Sequence, residues 1–143
     1  MKRNAVVAAA LLLAGCAGPP PPDVPPDPRL RTLVEQPVGD FLADARVASL
    51  LAGGCDEVAM PQALFNALVV AREAGRPSGE PFDPRVAARA ADAAFRIRIA
   101  DLRARHPGDP LGARNCTVIA DETARGMPAT GFLTAVVTEL PES

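Results

Sequence analysis

A proline-rich stretch near the N terminus divides this chain into parts that must fold differently. Seven of the ten residues in 19–28 are proline. Because proline lacks a backbone N–H and has a fixed φ, such a stretch favours an extended polyproline II conformation over helix or sheet. At about 3.1 Å per residue, it would span roughly 30 Å. We expect a linker over 16–37, either a spacer or a disordered tail, and a folded domain over 38–143.

The residues before the linker have the pattern of a signal peptide. Lys2 and Arg3 are basic, and the run 5–13 is apolar throughout. A membrane-spanning helix needs about 20 apolar residues, so this shorter run matches the apolar region of a signal peptide instead. Since the basic end stays in the cytoplasm, the pattern predicts export of everything downstream.

The end of the apolar run resembles a known processing motif. Leu13-Ala14-Gly15-Cys16 is similar to the lipobox of bacterial lipoproteins. The resemblance implies that 1–15 is a lipoprotein signal peptide, that cleavage falls between Gly15 and Cys16, and that lipid is attached to the Cys16 thiol. Several acyl chains would hold the chain on a membrane, because each buried CH₂ contributes about 0.8 kcal/mol. An ordinary secretory signal and an uncleaved anchor are the alternatives.

Composition limits both the core and the partners. Hydrophobic residues make up 48% of the chain but aromatic residues only 3%, so we expect thin helices that pack closely through Ala, Leu and Val. The formal net charge is −2. No basic run is long enough to follow a phosphate backbone, and no aromatic residues are interleaved with the arginines. Nucleic acid is therefore not an expected partner.

Helical spacing of apolar residues predicts an all-α fold, a small bundle of about four to five helices with one disulfide. The expected helices cover 40–51, 61–74, 84–105, a segment after Asp109-Pro110, and 129–140. The last segment is ambiguous, because its Thr and Val residues also suit a strand. We favour a helix there because the sequence offers no second strand to pair with it.

The clearest of these helices begins at Asp83-Pro84. Aspartate is a good N-cap and proline suits the first helical position. Residues predicted on its buried face are Val86, Ala87, Ala90, Ala91, Ala94, Phe95, Ile97 and Leu102. Residues predicted on its exposed face are Arg85, Arg89, Asp92, Arg96 and Arg103.

Three cysteines are present, and Cys16 is assigned to lipid. Cys55 and Cys116 then form an even pair in a compartment that oxidises thiols, which predicts a disulfide between them. Two free thiols, a redox pair and a metal site are the alternatives. The absence of a C-x-x-C motif makes a thioredoxin-like redox role the weaker choice.

The domain also resembles a family of small, uncharacterised two-cysteine helical proteins of the periplasm. The resemblance rests on Cys55, the Ala- and Arg-rich run 86–102, Cys116 and Gly131-Phe132-Leu133, and it covers roughly 41–135. It implies a helical periplasmic domain. No functional residue carries over from it.

The sequence offers no catalytic or metal-binding set. His106 is the single histidine, and at the end of a helix we expect it to cap the C terminus. Ser49 and Ser78 do not lie in G-x-S-x-G, the pattern of a serine hydrolase. We expect no catalytic residue, no metal and no cofactor, and we expect Asp121 to pair with Arg125 on the surface.

These patterns together predict a lipid-anchored protein of the cell envelope that faces the periplasm. By the lipoprotein resemblance, Ala17 after the lipidated cysteine favours the outer membrane over the inner membrane. The expected role is non-catalytic binding or scaffolding, with another envelope protein as partner. The alternative is a small-ligand carrier or an enzyme with an Arg/carboxylate site between helices.

Overall fold

The computed structural model describes residues 27–76 and 82–136, and it confirms the all-α class with one disulfide. The helices are α1 Pro28–Glu35, α2 Val38–Gly53, α3 Gln62–Gly75, α4 Pro84–Arg105 and α5 Cys116–Ala124, followed by a 3₁₀ helix Pro128–Phe132. Strands β1 Val58–Ala59 and β2 Thr134–Ala135 form a small antiparallel sheet. Among the described helices, none is both long and apolar enough to cross a membrane. The predicted signal peptide, the cleavage point and Cys16 lie outside the described residues.

The predicted linker over 16–37 is wrong at its C-terminal end, because α1 lies within it. The Asp27 side chain accepts a hydrogen bond from the Arg29 backbone N–H, and Pro28 occupies the start of the helix. Leu30 and Leu33 of α1 are buried in the core. The same Asp-Pro start signal that we identified at Asp83 therefore ends the proline-rich stretch and begins the domain.

Helix α2 lies at the centre of the domain. Its Phe41 packs against Phe65 of α3 and Phe132 of the 3₁₀ helix, with ring centroids 5.9 Å and 5.3 Å apart. Further along, Leu51 belongs to a second apolar cluster together with Leu102 of α4. The residues buried in α2 are Gly39, Phe41, Ala43, Asp44, Ala45, Val47, Ala48 and Leu51.

Helix α1 is fixed by a cation at its carboxyl end. The Nη1 of Arg72, on α3, donates to the backbone carbonyl oxygens of Leu33 and Val34 at 3.1 Å and of Gln36 at 2.5 Å. Its guanidinium also lies 4.9 Å from the centroid of the Phe41 ring. A positive charge at a helix C terminus is favourable, so this arginine joins α1 to the core.

Helices α2 and α4 pack directly against each other, and Gly39 near the start of α2 lies against Ala90 of α4. A Cβ placed on Gly39 would lie 2.6 Å from the Ala90 Cβ. The predicted close packing through small residues is thus found at this contact.

The start of α4 agrees with the sequence, but its buried face is rotated from the predicted one. Asp83 caps the helix by accepting from the backbone N–H groups of Arg85 and Val86. Val86 and Ile97, which we expected to be buried, are 53% and 62% exposed. Ile99 is buried instead, and the adjacent Arg98 bonds Asp44 of α2.

The last predicted helix is wrong over the residues described. A 3₁₀ helix ends at Phe132, and β2 then pairs with β1 in the register Val58 to Ala135. The Val136 N–H also donates to the Glu57 carbonyl oxygen at 2.9 Å. A partner strand does exist, in the short connection after α2, and this removes our reason for preferring a helix. Residues 137–140 lie outside the described part of the chain.

Helix α5 starts later than the Asp109-Pro110 signal predicts. The segment before it turns back onto the end of α2, where the N–H groups of Arg114 and Asn115 donate to the Gly54 carbonyl oxygen at 2.9 Å and 3.2 Å. The buried Asn115 side chain donates to the Leu51 carbonyl oxygen at 3.1 Å. The two hydrogen bonds to Gly54 occupy backbone N–H groups that would bond within the helix if α5 began earlier.

The predicted disulfide is confirmed between Cys55 and Cys116, whose sulfurs are 2.00 Å apart. It joins the chain just after α2 to the first residue of α5, over a separation of 61 residues. The bond and the Asn115 hydrogen bonds lie at the same junction, so α5 is held to α2 by covalent and polar contacts together.

Replacing Gly39 with Ala should destabilise the domain by about 1–3 kcal/mol, because the new methyl group overlaps Ala90 and the helices must separate. Gly53, in the same helix, is the matched control: nothing lies within 4 Å of the position of its Cβ. Ala at 53 should be neutral or stabilising, since Ala favours a helix over Gly by roughly 0.5–1 kcal/mol. Urea denaturation followed by circular dichroism measures both, and equal effects would contradict the close contact.

Candidate functional site

A cleft of about 210 Å³ opens between α2 and α4 and is closed at one end by α5 and the 3₁₀ helix. Its walls are mostly apolar, with five charged side chains among them. The lining residues are Asp44, Val47, Leu51, Ile97, Arg98, Asp101, Leu102, Arg105, Glu122, Met127, Pro128, Ala129 and Thr130.

The first charged group of the cleft is centred on Arg98. Its Nε donates to Asp44 Oδ1 at 2.5 Å, and its Nη2 donates to Asp40 Oδ1 at 3.0 Å. The Asp44 side chain is only 4% exposed, and Gln36 Nε2 donates to the other oxygen of its carboxylate at 2.9 Å. Burial alone would lower the pKa of the Arg98 guanidinium, but bonding to these two carboxylates raises it. The arginine is thus firmly charged and held in place.

The second charged group is centred on Glu122, at the other end of the cleft. Arg105 binds its carboxylate with two hydrogen bonds, Nε to Oε1 at 2.9 Å and Nη2 to Oε2 at 2.7 Å. His106 Nε2 lies 2.9 Å from the same Oε1. Burial alone would raise the pKa of Glu122, yet the bonds from Arg105 and His106 outweigh burial and lower it. The carboxylate therefore stays ionised inside the domain.

His106 does more than the helix capping that the sequence predicts. Its backbone N–H donates to the Leu102 carbonyl oxygen at the end of α4, as a C-cap does. Its ring meets two carboxylates of α5, Glu122 at 2.9 Å and Asp121 at 3.5 Å. The predicted surface pair between Asp121 and Arg125 is confirmed at 2.9 Å.

His106, Asp121 and Glu122 have the spacing of a possible metal site, since their ligand atoms lie within 4.8 Å of one another. Both carboxylates, however, already bind guanidinium groups, Glu122 that of Arg105 and Asp121 that of Arg125. A metal ion would have to displace or repel these cations. The arrangement favours ion pairs over metal coordination.

The two arginines lie on one face of α4. They are seven residues apart, which is two helical turns and about 10 Å along the axis. Leu102 lies between them and is buried together with Leu51 of α2, so an apolar floor separates two polar ends. Asp101, which is exposed, adds a carboxylate at the rim.

The predicted and observed site residues overlap little. Cys16 and Gly15 lie outside the described part of the chain, and Cys55 and Cys116 are bonded at the junction of α2 and α5. The sequence did not predict Arg98 and its partners as site residues, because each of them resembles an ordinary charged residue of the surface. The i, i+7 spacing of two arginines around a buried leucine was the available signal.

Comparisons with protein-family models, with curated proteins and with solved structures find no match for this chain.

Replacing Glu122 with Gln should destabilise the domain at neutral pH by about 1–3 kcal/mol, because Arg105 then keeps only a neutral partner at a buried position. This loss of stability should be smaller at acidic pH. The folded-state pKa of Glu122 lies below its ordinary 4.5, so its contribution is complete above that value and disappears as the pH falls through the folded pKa. Urea denaturation at a series of pH values measures both effects.

Asp121→Asn is the matched control for Glu122→Gln, on the adjacent residue of the same helix. The Asp121 side chain is 45% exposed and pairs with Arg125, so its loss should cost at most about 0.5 kcal/mol. Equal losses for the two variants, or a Glu122→Gln loss that does not change with pH, would contradict the buried ion pair.

Proposed function

We propose that this chain is a lipid-anchored protein of the bacterial cell envelope, facing the periplasm, that acts by binding another envelope component. The N-terminal pattern and its lipobox-like end support the anchor at Cys16. The disulfide between Cys55 and Cys116 supports an oxidising compartment, since such bonds are rare in the cytosol. Ala17 favours the outer membrane over the inner membrane.

One observation supports the binding role above the others, the cleft between α2 and α4. It combines an apolar floor with polar groups at each end, as binding sites commonly do. The buried carboxylates Asp44 and Glu122 are costly to bury, and each is held by an arginine that also lines the cleft. These bonds hold the cleft in one shape before anything enters it.

The same cleft gives weight to a second candidate, a small-ligand carrier. Two arginines and three carboxylates meet on one apolar cavity, which is the Arg/carboxylate arrangement between helices that the sequence left as an alternative. The occupant is then either a side chain of an envelope protein or a free small molecule. A crosslinking experiment separates these cases.

A photoreactive phenylalanine analogue in place of Ile97, at the rim of the cleft, should form an adduct with one envelope protein in intact cells. The control position is Arg103, which is exposed on the same helix and does not line the cleft. The chain should also incorporate labelled fatty acid, and Cys16→Ala should abolish the label, because it removes the thiol that carries the lipid and leaves an unlipidated precursor.

Label that persists in Cys16→Ala would contradict the lipid anchor. An adduct that forms equally well from position 103 would contradict the cleft as the binding surface. If neither position captures a protein, a protein partner at the cleft is excluded and the carrier function is the one to pursue.

A further inference from the structure

The two cysteines of the disulfide differ in exposure. Cys55 is 3% exposed and belongs to the apolar cluster that contains Leu51, whereas Cys116 is half-buried. A disulfide is reduced when a thiolate attacks one of its sulfurs, and the rate depends on access to the bond. A thiol in solution therefore approaches from the side of Cys116, and the Cys55 sulfur is the one that leaves.

A carboxylate lies beside this bond. One carboxylate oxygen of Glu57 lies within 4.8 Å of both sulfur atoms. Glu57 is exposed, and within 27–76 and 82–136 no hydrogen bond or ion pair engages its side chain. No bonded cation in this part of the chain neutralises the negative charge that Glu57 holds next to the disulfide.

The backbone on both sides of Glu57 is fixed. The Glu57 carbonyl oxygen accepts from the Val136 N–H at 2.9 Å, and the Val58 N–H donates to the Cys55 carbonyl oxygen at 3.4 Å. Strand β1 begins at Val58 and pairs with β2. Residue 57 therefore cannot move away from the disulfide without breaking the small sheet.

Reduction by a thiol would bring more negative charge to this position. The thiolate sulfur bonds to the Cys116 sulfur, the bond between Cys116 and Cys55 breaks, and its electron pair leaves on the Cys55 sulfur as a new thiolate. The negative charge is shared among three sulfurs while the bonds exchange. Because the Glu57 oxygen is near both protein sulfurs, it opposes the charge as it arrives and as it leaves.

We propose that Glu57 shields the disulfide by repelling thiolates, and so protects the bond that joins α2 to α5. Repulsion between unit charges at 4.8 Å, in surroundings that are largely water, slows the attack by about three- to tenfold. The shield acts on the rate of reduction. It depends neither on the cleft nor on the proposed binding function.

The neighbouring charges provide a matched control. Asp56 is exposed and adjacent to Glu57, but it does not belong to the group of atoms within 4.8 Å of the sulfurs and of one another. Arg114 is the nearest cation to Cys116 along the chain, and it is exposed. No ion pair joins Arg114 to Glu57 in the part of the chain that the structure describes.

The rates at which two reductants open the bond test this role, in the full chain purified without reductant and kept folded. Glutathione attacks as an anionic thiolate, whereas tris(3-hydroxypropyl)phosphine attacks as an uncharged nucleophile. Alkylation of the released thiols, followed by mass spectrometry of the peptides that contain Cys55 and Cys116, measures both rates. Circular dichroism checks that each variant is folded.

Glu57→Gln should speed reduction by glutathione by about three- to tenfold and change reduction by the phosphine by less than about twofold. Asp56→Asn should change either rate by less than about twofold, because its charge lies outside the close group. A substitution that merely loosened the junction would expose the bond to both reductants. The phosphine therefore separates loss of charge from loss of structure.

An unchanged glutathione rate in folded Glu57→Gln would overturn the proposal. So would equal acceleration with both reductants, or equal effects of Glu57→Gln and Asp56→Asn. None of these results bears on the adduct expected from position 97, so failure of the shield is distinct from failure of the proposed function.

Discussion

The covalent bond between Cys55 and Cys116 is the constraint on which the cleft depends. Helix α5 and the 3₁₀ helix follow the long α4, and the bond returns them to the end of α2, where Asn115 adds its hydrogen bond to Leu51. Closing a loop of 61 residues restricts the unfolded chain by about 4 kcal/mol in the chain-entropy model. For a core with no Trp or Tyr, that is a large part of a typical stability of about 5–15 kcal/mol.

With α5 in place, Glu122 reaches Arg105 and the far end of the cleft is complete. Replacing a buried ion pair with apolar residues often leaves stability unchanged or increases it, so stability alone does not require such pairs. In this domain the pairs Asp44–Arg98 and Glu122–Arg105 flank one small cavity. The binding role that we propose for this cavity would give the two ion pairs a use besides folding.

The sequence predicted the features that depend on local signals or on the number of cysteines. The Asp83-Pro84 start of α4 and the pairing of Cys55 with Cys116 are of this kind. Helix α1 was missed although Asp27-Pro28 repeats the same signal, because the preceding prolines favoured a continuing linker. The short strand after Phe132 and the inward turn of Arg98 depend on partners 54 or more residues away, which local patterns do not specify.

The state and effect of the disulfide test the account most directly. Protein purified without reductant, denatured and treated with a thiol reagent, should show no free thiol at Cys55 or Cys116. Confirmed reduction should then lower the free energy of unfolding by about 2–5 kcal/mol, as measured by urea denaturation. Two reactive thiols in the native protein, or a stability that does not change after confirmed reduction, would contradict the claim that this bond holds the domain and its cleft together.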